Sequence, residues 1–292
     1  MLPVNKSVAC IYAYSFLFMP ATGIYNKEFV SEHEEIIKDS HIYFIGYIPF
    51  LEFGRINKNG NRYTLDFLCG GKEDTIHLEI PREIQVSQHN GNYFIQKGSK
   101  KSNILELLIE LCIHEHQTFD VKYIGKSYGS LGSRNAIDRL KKHETLQQLS
   151  IENSMSDTHQ LAVLLLEVAN NMPRFMVCNA HKKESEFKTK LDGVIDIKNA
   201  SSQESLISLF EAAFIKYFKP EFNKFFKEKF PSKDQELLKA LYDNHIDNLI
   251  AEINIDGLPY KLKSAVVEPQ IKHAAKFRLN LEKENDLIWY ML

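Results

Sequence analysis

The sequence predicts an α+β protein: a β-rich N-terminal domain, then a small mixed sheet flanked by helices. Three observations predict it. Strand-like runs crowd residues 1–100, a continuous apolar run over 161–168 reads as a central strand, and residues 204–218 carry apolar side chains at helical spacing.

The elements follow in order. Residues 8–19 are apolar and follow Lys6, but they include Tyr12, Tyr14 and Ser15. Such a run suits a buried strand better than a secretory leader. Residues 27–38 form a charged helix, and 41–53 are rich in Tyr, Phe and Ile, as strands are. Asn59-Gly60 signals a hairpin turn into a strand over 62–69. Residues 75–80 alternate apolar and polar side chains until Pro81, and Asn90-Gly91 signals a second hairpin into 93–96. Residues 98–102 read as a polar linker, with Ser102 capping a helix over 104–113. A short strand over 119–124 then breaks at Gly125, and a helix spans 133–143. Residues 182–202 are a charged surface insertion, and Pro220 bounds the strong helix before it. The tail adds a helix near 234–247 and a hairpin about Asp256-Gly257. The expected divisions are 1–100, 101–230 and 231–292, the last a helical and hairpin extension.

The bulk numbers limit the function classes. Lys plus Arg total 36 against 38 Asp plus Glu, a formal charge of −2. That excludes a chain-wide polycation but leaves room for a local basic track. Cys10, Cys69, Cys112 and Cys178 form no C-x-x-C pair and have no histidine at zinc-finger spacing. They read as reduced thiols of a cytoplasmic protein. No apolar run reaches the ~20 residues a spanning helix needs, so no membrane span is expected.

The residues that carry chemistry lie in the middle third. Tyr123-Ile124-Gly125-Lys126 ends a strand in a tyrosine, turns at glycine and presents a lysine. Arg139 and His143 are four apart, which puts them on one helical face. Glu211 falls among Ile207, Ile215 and Phe218, inside an apolar helical face. An ionised carboxylate there is costly unless a cation or a basic side chain pairs with it. Lys219-Pro220 and then Asn223 follow that helix.

This order, Tyr-Ile-Gly-Lys, then Arg-x-x-x-His, an apolar strand, a helix with Glu and Pro-x-x-Asn, resembles the GIY-YIG nuclease superfamily. The resemblance covers residues 119–223, in a module of about 93–230. It implies that Tyr123 positions or activates the attacking water, with Lys126 near the substrate phosphate. It implies that Arg139 stabilises the scissile phosphate, that His143 occupies a His-or-Tyr position, and that Asn223 supports the site. Glu211 matches the single metal ligand, so Mg2+ or Mn2+ is the implied cofactor. Arg134 rivals Arg139 because the loop between Gly125 and Arg139 is long. The first half-motif is not found just upstream of Tyr123. A literal Gly23-Ile24-Tyr25 is read as coincidence, and residues 93–95 are taken as the missing strand, with Tyr93 its tyrosine.

The expected function is therefore metal-dependent endonuclease activity on phosphodiester bonds. DNA is favoured over RNA, in a restriction or phage-defence setting. The alternatives are a catalytically inactive module of this kind that binds nucleic acid or a partner, and an unrelated scaffold in which Glu211 pairs internally. Lys122, Arg134, Lys141, Lys142 and Lys219 are the expected nucleic-acid contacts. A protein partner or homo-oligomer is compatible with the N-terminal strands. Tyr123, Arg139 and Glu211 must converge on one cleft if the nuclease reading holds.

Overall fold

The computed structural model describes residues 7–81, 83–89, 92–104, 117–127, 136–153, 156–169, 174–177, 193, 195–227 and 236–279. The chain opens with β1 (Ser7–Pro20), α1 (Lys27–Glu32) and α2 (Glu34–Asp39). Then come β2 (Ile42–Pro49), β3 (Leu51–Asn59), β4 (Arg62–Cys69), β5 (Lys72–Glu79), β6 (Gln85–His89), β7 (Asn92–Lys97) and β8 (Lys100–Asn103). The middle third holds β9 (Thr118–Lys126), α3 (Ala136–Leu140), α4 (Glu144–Asn153), β10 (His159–Val168) and β11 (Arg174–Val177). The rest comprises α5 (Gln203–Phe218), α6 (Glu236–Asp243), β12 (Asn248–Asn254), β13 (Lys261–Lys263) and β14 (Lys272–Arg278).

The fold is α+β. One mixed sheet runs in the order β13-β9-β2-β10-β1-β12-β14, with β11 paired to β1. A bridge between Leu262 and Gln270, just before β14, draws the two edges toward each other and curls the sheet. The separations expected at 100 and 230 do not divide this sheet. It takes β1 and β2 from the first interval and β12 to β14 from the last. Parallel pairing of β1 with β12 ties the chain's two ends together.

The apolar run over 161–168 is explained by β10's central place. Ala162, Leu164, Leu166 and Val168 join the inner core, while Leu161, Val163 and Leu165 join the outer one. A strand buried on both faces needs no polar alternation. The inner core is filled by α5, whose Leu206, Ile207, Phe210, Ala213, Phe214 and Phe218 are buried. The Ser202 hydroxyl accepts from the Ser205 N–H at 3.1 Å and caps its start. Lys219, in the left-handed region at φ 46°, and Pro220 end it. Ile37, Ala136, Ile137, Leu140, Leu146 and Leu149 of α2, α3 and α4 cover the outer face.

Between β2 and β9 the chain makes two three-stranded antiparallel sheets, β3-β4-β5 and β6-β7-β8. Tyr63, Leu65, Phe67 and Ile80 share one apolar cluster with Ile104, Val86, Tyr93 and Ile95. Gly60 takes φ 65° in the β3–β4 turn, as Asn-Gly hairpins require. Gly98 takes φ 61° in the β7–β8 turn, and Ser102 pairs with Ile95 in β8. The expected linker and N-cap over 98–102 are thus the turn and second strand of a hairpin. Asp256-Gly257 makes no hairpin either: β12 pairs with β1 and β14, and β13 with β9. The expected strand break at Gly125 is absent, since β9 runs on to Lys126. Of the helix expected over 104–113, only Ile104 is described; residues 105–113, most of the insertion over 182–202, Asn90-Gly91, Arg134, Cys112 and Cys178 lie outside the described residues. Cys10 and Cys69 are buried thiols. Among the described residues no helix is long and apolar enough to cross a membrane.

Candidate active site

The strand beside Tyr123 is β2. It runs antiparallel to β9 with Tyr43 opposite Gly125 and Ile45 opposite Tyr123. The expectation that residues 93–95 supply this strand is therefore corrected: Tyr93 lies in β7 and packs in the separate apolar cluster of the inserted sheets. Tyr43 was missed because those two sheets separate it by 80 positions from Tyr123. Its signal was present, a tyrosine in an aromatic strand at Ile42-Tyr43. Gly23-Ile24-Tyr25 sits in a short 3-10 turn after β1, with Tyr25 exposed, in keeping with coincidence.

Tyr43 is fully buried and its ring stacks 6.2 Å from that of Tyr123. Its hydroxyl accepts from Arg139 Nε at 3.2 Å. Burial pushes both phenols above the ordinary tyrosine range, and the Glu211 charge pushes the same way while Arg139 opposes it. Arg139 remains solvent-facing, and among the described residues its guanidinium is hydrogen-bonded through Nε to Tyr43.

His143 does not share a helix with Arg139. α3 ends at Leu140, and His143 lies in the break before α4, its N–H donating to the Leu140 carbonyl at 3.0 Å. The break still delivers the ring to the same cluster, 4.9 Å from Tyr123 and 5.6 Å from Tyr43 in edge-on contact. Burial, with Arg139 adding, lowers its pKa, which keeps the imidazole neutral near pH 7.

Glu211 enters from α5. Its side chain is 14% exposed, and Lys126 Nζ lies 3.5 Å from its carboxylate. Burial raises its pKa, while Lys126 and Arg139 pull it back. Lys126 also donates to Ser208 Oγ at 2.7 Å, a partner one helical turn before Glu211 that the sequence reading did not name. Glu211, Arg139, Tyr43 and Tyr123 thus influence one another's protonation across one corner between β2, β9, α3 and α5.

Asn223 is a structural clamp. Its carboxamide accepts from the Ile124 N–H at 2.9 Å and donates to the Ile124 carbonyl at 2.8 Å. Beside it, the Phe222 N–H donates to the Lys122 carbonyl at 3.0 Å. The chain after α5 is thereby fixed along β9 next to Tyr123.

The expected basic contacts separate. Lys141 and Lys142 are exposed in the turn after α3, and Lys219 is exposed at the end of α5. Lys122 is paired at 3.3 Å with both Asp120 and Glu221 and raised in pKa, its burial outweighed by those acids. It takes part in a local ion network.

Comparisons with family models, curated proteins and solved structures gave no match for this chain.

Proposed function

We propose that this chain is a GIY-YIG-type nuclease that hydrolyses phosphodiester bonds of nucleic acid, with DNA favoured, in a restriction or defence setting. One observation carries the reading: Tyr43 on β2 stands beside Tyr123 on antiparallel β9, with Gly125 between them and Arg139 bonded to Tyr43. It supplies the tyrosine strand that the family pattern asks for, in a place the linear sequence hides.

The donor set fits a hard divalent cation. Among the described residues no cluster of three His, Cys, Asp or Glu could hold a metal. Mg2+ suits a single carboxylate, because it fills its remaining positions with water and substrate phosphate. Glu211 is the residue that would hold it. When bound, such a cation supplies charge neutralisation at a phosphate oxygen. Tyr123 would direct the attacking water, and the Tyr43 ring stacked beside it would fix its orientation. Arg139, anchored through Nε, would turn its other nitrogens to the negative charge that builds on the phosphate. Lys126, beside Glu211, would offer its ammonium to the substrate phosphate.

The test is a cleavage panel on plasmid, single-stranded DNA and RNA, with wild type and Glu211→Gln, with and without Mg2+. Cleavage by wild type only, and only with metal, is expected. Metal-dependent cleavage retained in Glu211→Gln refutes the assignment.

The Lys126–Glu211 contact favours a second reading, a binding module of this kind without catalysis, because an internal ammonium already compensates the carboxylate. Nucleic-acid binding with no cleavage under any divalent metal would select it.

A further inference from the structure

We infer that Phe225 and Phe226 form a stacking platform for an unpaired nucleobase beside the candidate active site. The inference rests on the nuclease reading and names its substrate more closely: a nucleic acid with a base out of the helical stack near the scissile phosphate.

Three phenylalanines follow α5 in close succession, and they part company. Phe222 packs into the outer core, and Asn223 is clamped to Ile124 of β9. The chain then turns outward. Phe225 is 77% exposed and Phe226 37%, and neither belongs to an apolar cluster among the described residues. Phe226 has φ 63°, a backbone region that bulky side chains avoid. Single exposed apolar residues are ordinary on a protein surface. Two adjacent aromatic rings, one on a disfavoured backbone, cost stability without adding to a core. That points to a ligand face.

Position and charge identify the ligand. Phe225 lies two residues past Asn223, so their Cα atoms are within about 7 Å. Asn223 holds Ile124, the neighbour of Tyr123. In sequence, Lys219, Lys224 and Lys227 flank the rings, with Glu221 and Glu228 the neighbouring acids. Lys227 Nζ donates to the Glu221 carbonyl at 2.7 Å, which ties the turn together while keeping its charge. Flat apolar rings between ammonium groups match an alternation of base faces and phosphates, and such stacking tolerates any base.

The test uses the full chain in a Glu211→Gln background, so that binding is read without cleavage. A single-stranded oligonucleotide carrying 2-aminopurine is titrated at several salt concentrations. The expected result is fluorescence quenching by Glu211→Gln protein. Adding Phe225→Ala and Phe226→Ala should remove the quenching and weaken binding roughly five- to hundredfold. The salt slope should stay the same, because the phosphate contacts remain. Phe225→Ala alone should leave the melting temperature unchanged, since that ring is 77% exposed. Equal affinity and quenching in the alanine variants overturn the inference, and wild-type cleavage would then leave the nuclease reading standing. If Glu211→Gln binds no oligonucleotide and wild type cuts none, both fall. Phe225-dependent binding to phosphatidylserine vesicles without oligonucleotide binding also overturns it.

Discussion

Tyr43 lies over Gly125, its partner in the β2–β9 ladder, so closely that a side chain at that glycine has no room. A Cβ there would stand 2.6 Å from Tyr43 Cζ and Oη and 2.9 Å from Tyr123 Cε1. The glycine is therefore what lets the two tyrosines sit side by side. Gly125→Ala should displace Tyr43, destabilise the protein by about 1–3 kcal/mol and abolish cleavage. Tyr43→Phe keeps the ring and removes only the hydroxyl that accepts from Arg139. It should cut the single-turnover rate by at least roughly tenfold with a small change in melting temperature. A Tyr43→Phe enzyme at the wild-type rate would remove Tyr43 from the site.

Glu211 should cost stability at neutral pH. Its folded pKa is raised above the usual 4.5, first by burial. A raised pKa means the folded state holds the proton more tightly than the unfolded one. The stabilising contribution is complete below 4.5 and is lost as pH rises through the folded value. Glu211→Gln should melt at or above wild type at pH 7, with the gap closing in acid. This separates loss of activity from loss of fold. A large drop in melting temperature at pH 7 would instead mark the Lys126 pair as a net structural contact.

Asn223 should behave as a clamp. Asn223→Ala leaves the buried Ile124 N–H and carbonyl without their partners, which costs about 1–3 kcal/mol for each group left unsatisfied. Cleavage should fall together with thermal stability. Calorimetry with matched activity assays checks this, and an inactive variant with wild-type stability would argue for a direct contact with substrate.

His273 should make the fold acid-sensitive. Burial lowers its pKa to about 4 from 6.5, against hydrogen bonding to the Gln270 and Leu262 backbones. A lowered histidine favours the folded state when neutral, so its contribution is complete above 6.5 and is lost as pH falls through about 4. The change is about 3 kcal/mol across that window. Melting curves of wild type and His273→Gln between pH 7 and pH 4.5 should converge as pH falls. Parallel curves would exclude His273 as the sensitive group.

The sequence by itself determined the local pieces. Spacing and Pro220 placed α5, continuous hydrophobicity marked β10 as central, and Asn-Gly at 59–60 marked its hairpin, because each depends on neighbours along the chain. Glu211 stood out for the same reason, as a carboxylate on an apolar helical face. Tertiary structure decided which strands pair. It put β2 beside β9 across two inserted sheets, tied β1 to β12 from opposite ends of the chain, and ended α3 before His143 while keeping that ring on Tyr123. Strand pairing spends hydrogen bonds and packing between distant residues, so linear spacing carries no trace of it. That is why Tyr123 was legible at once, and its partner Tyr43 only in three dimensions.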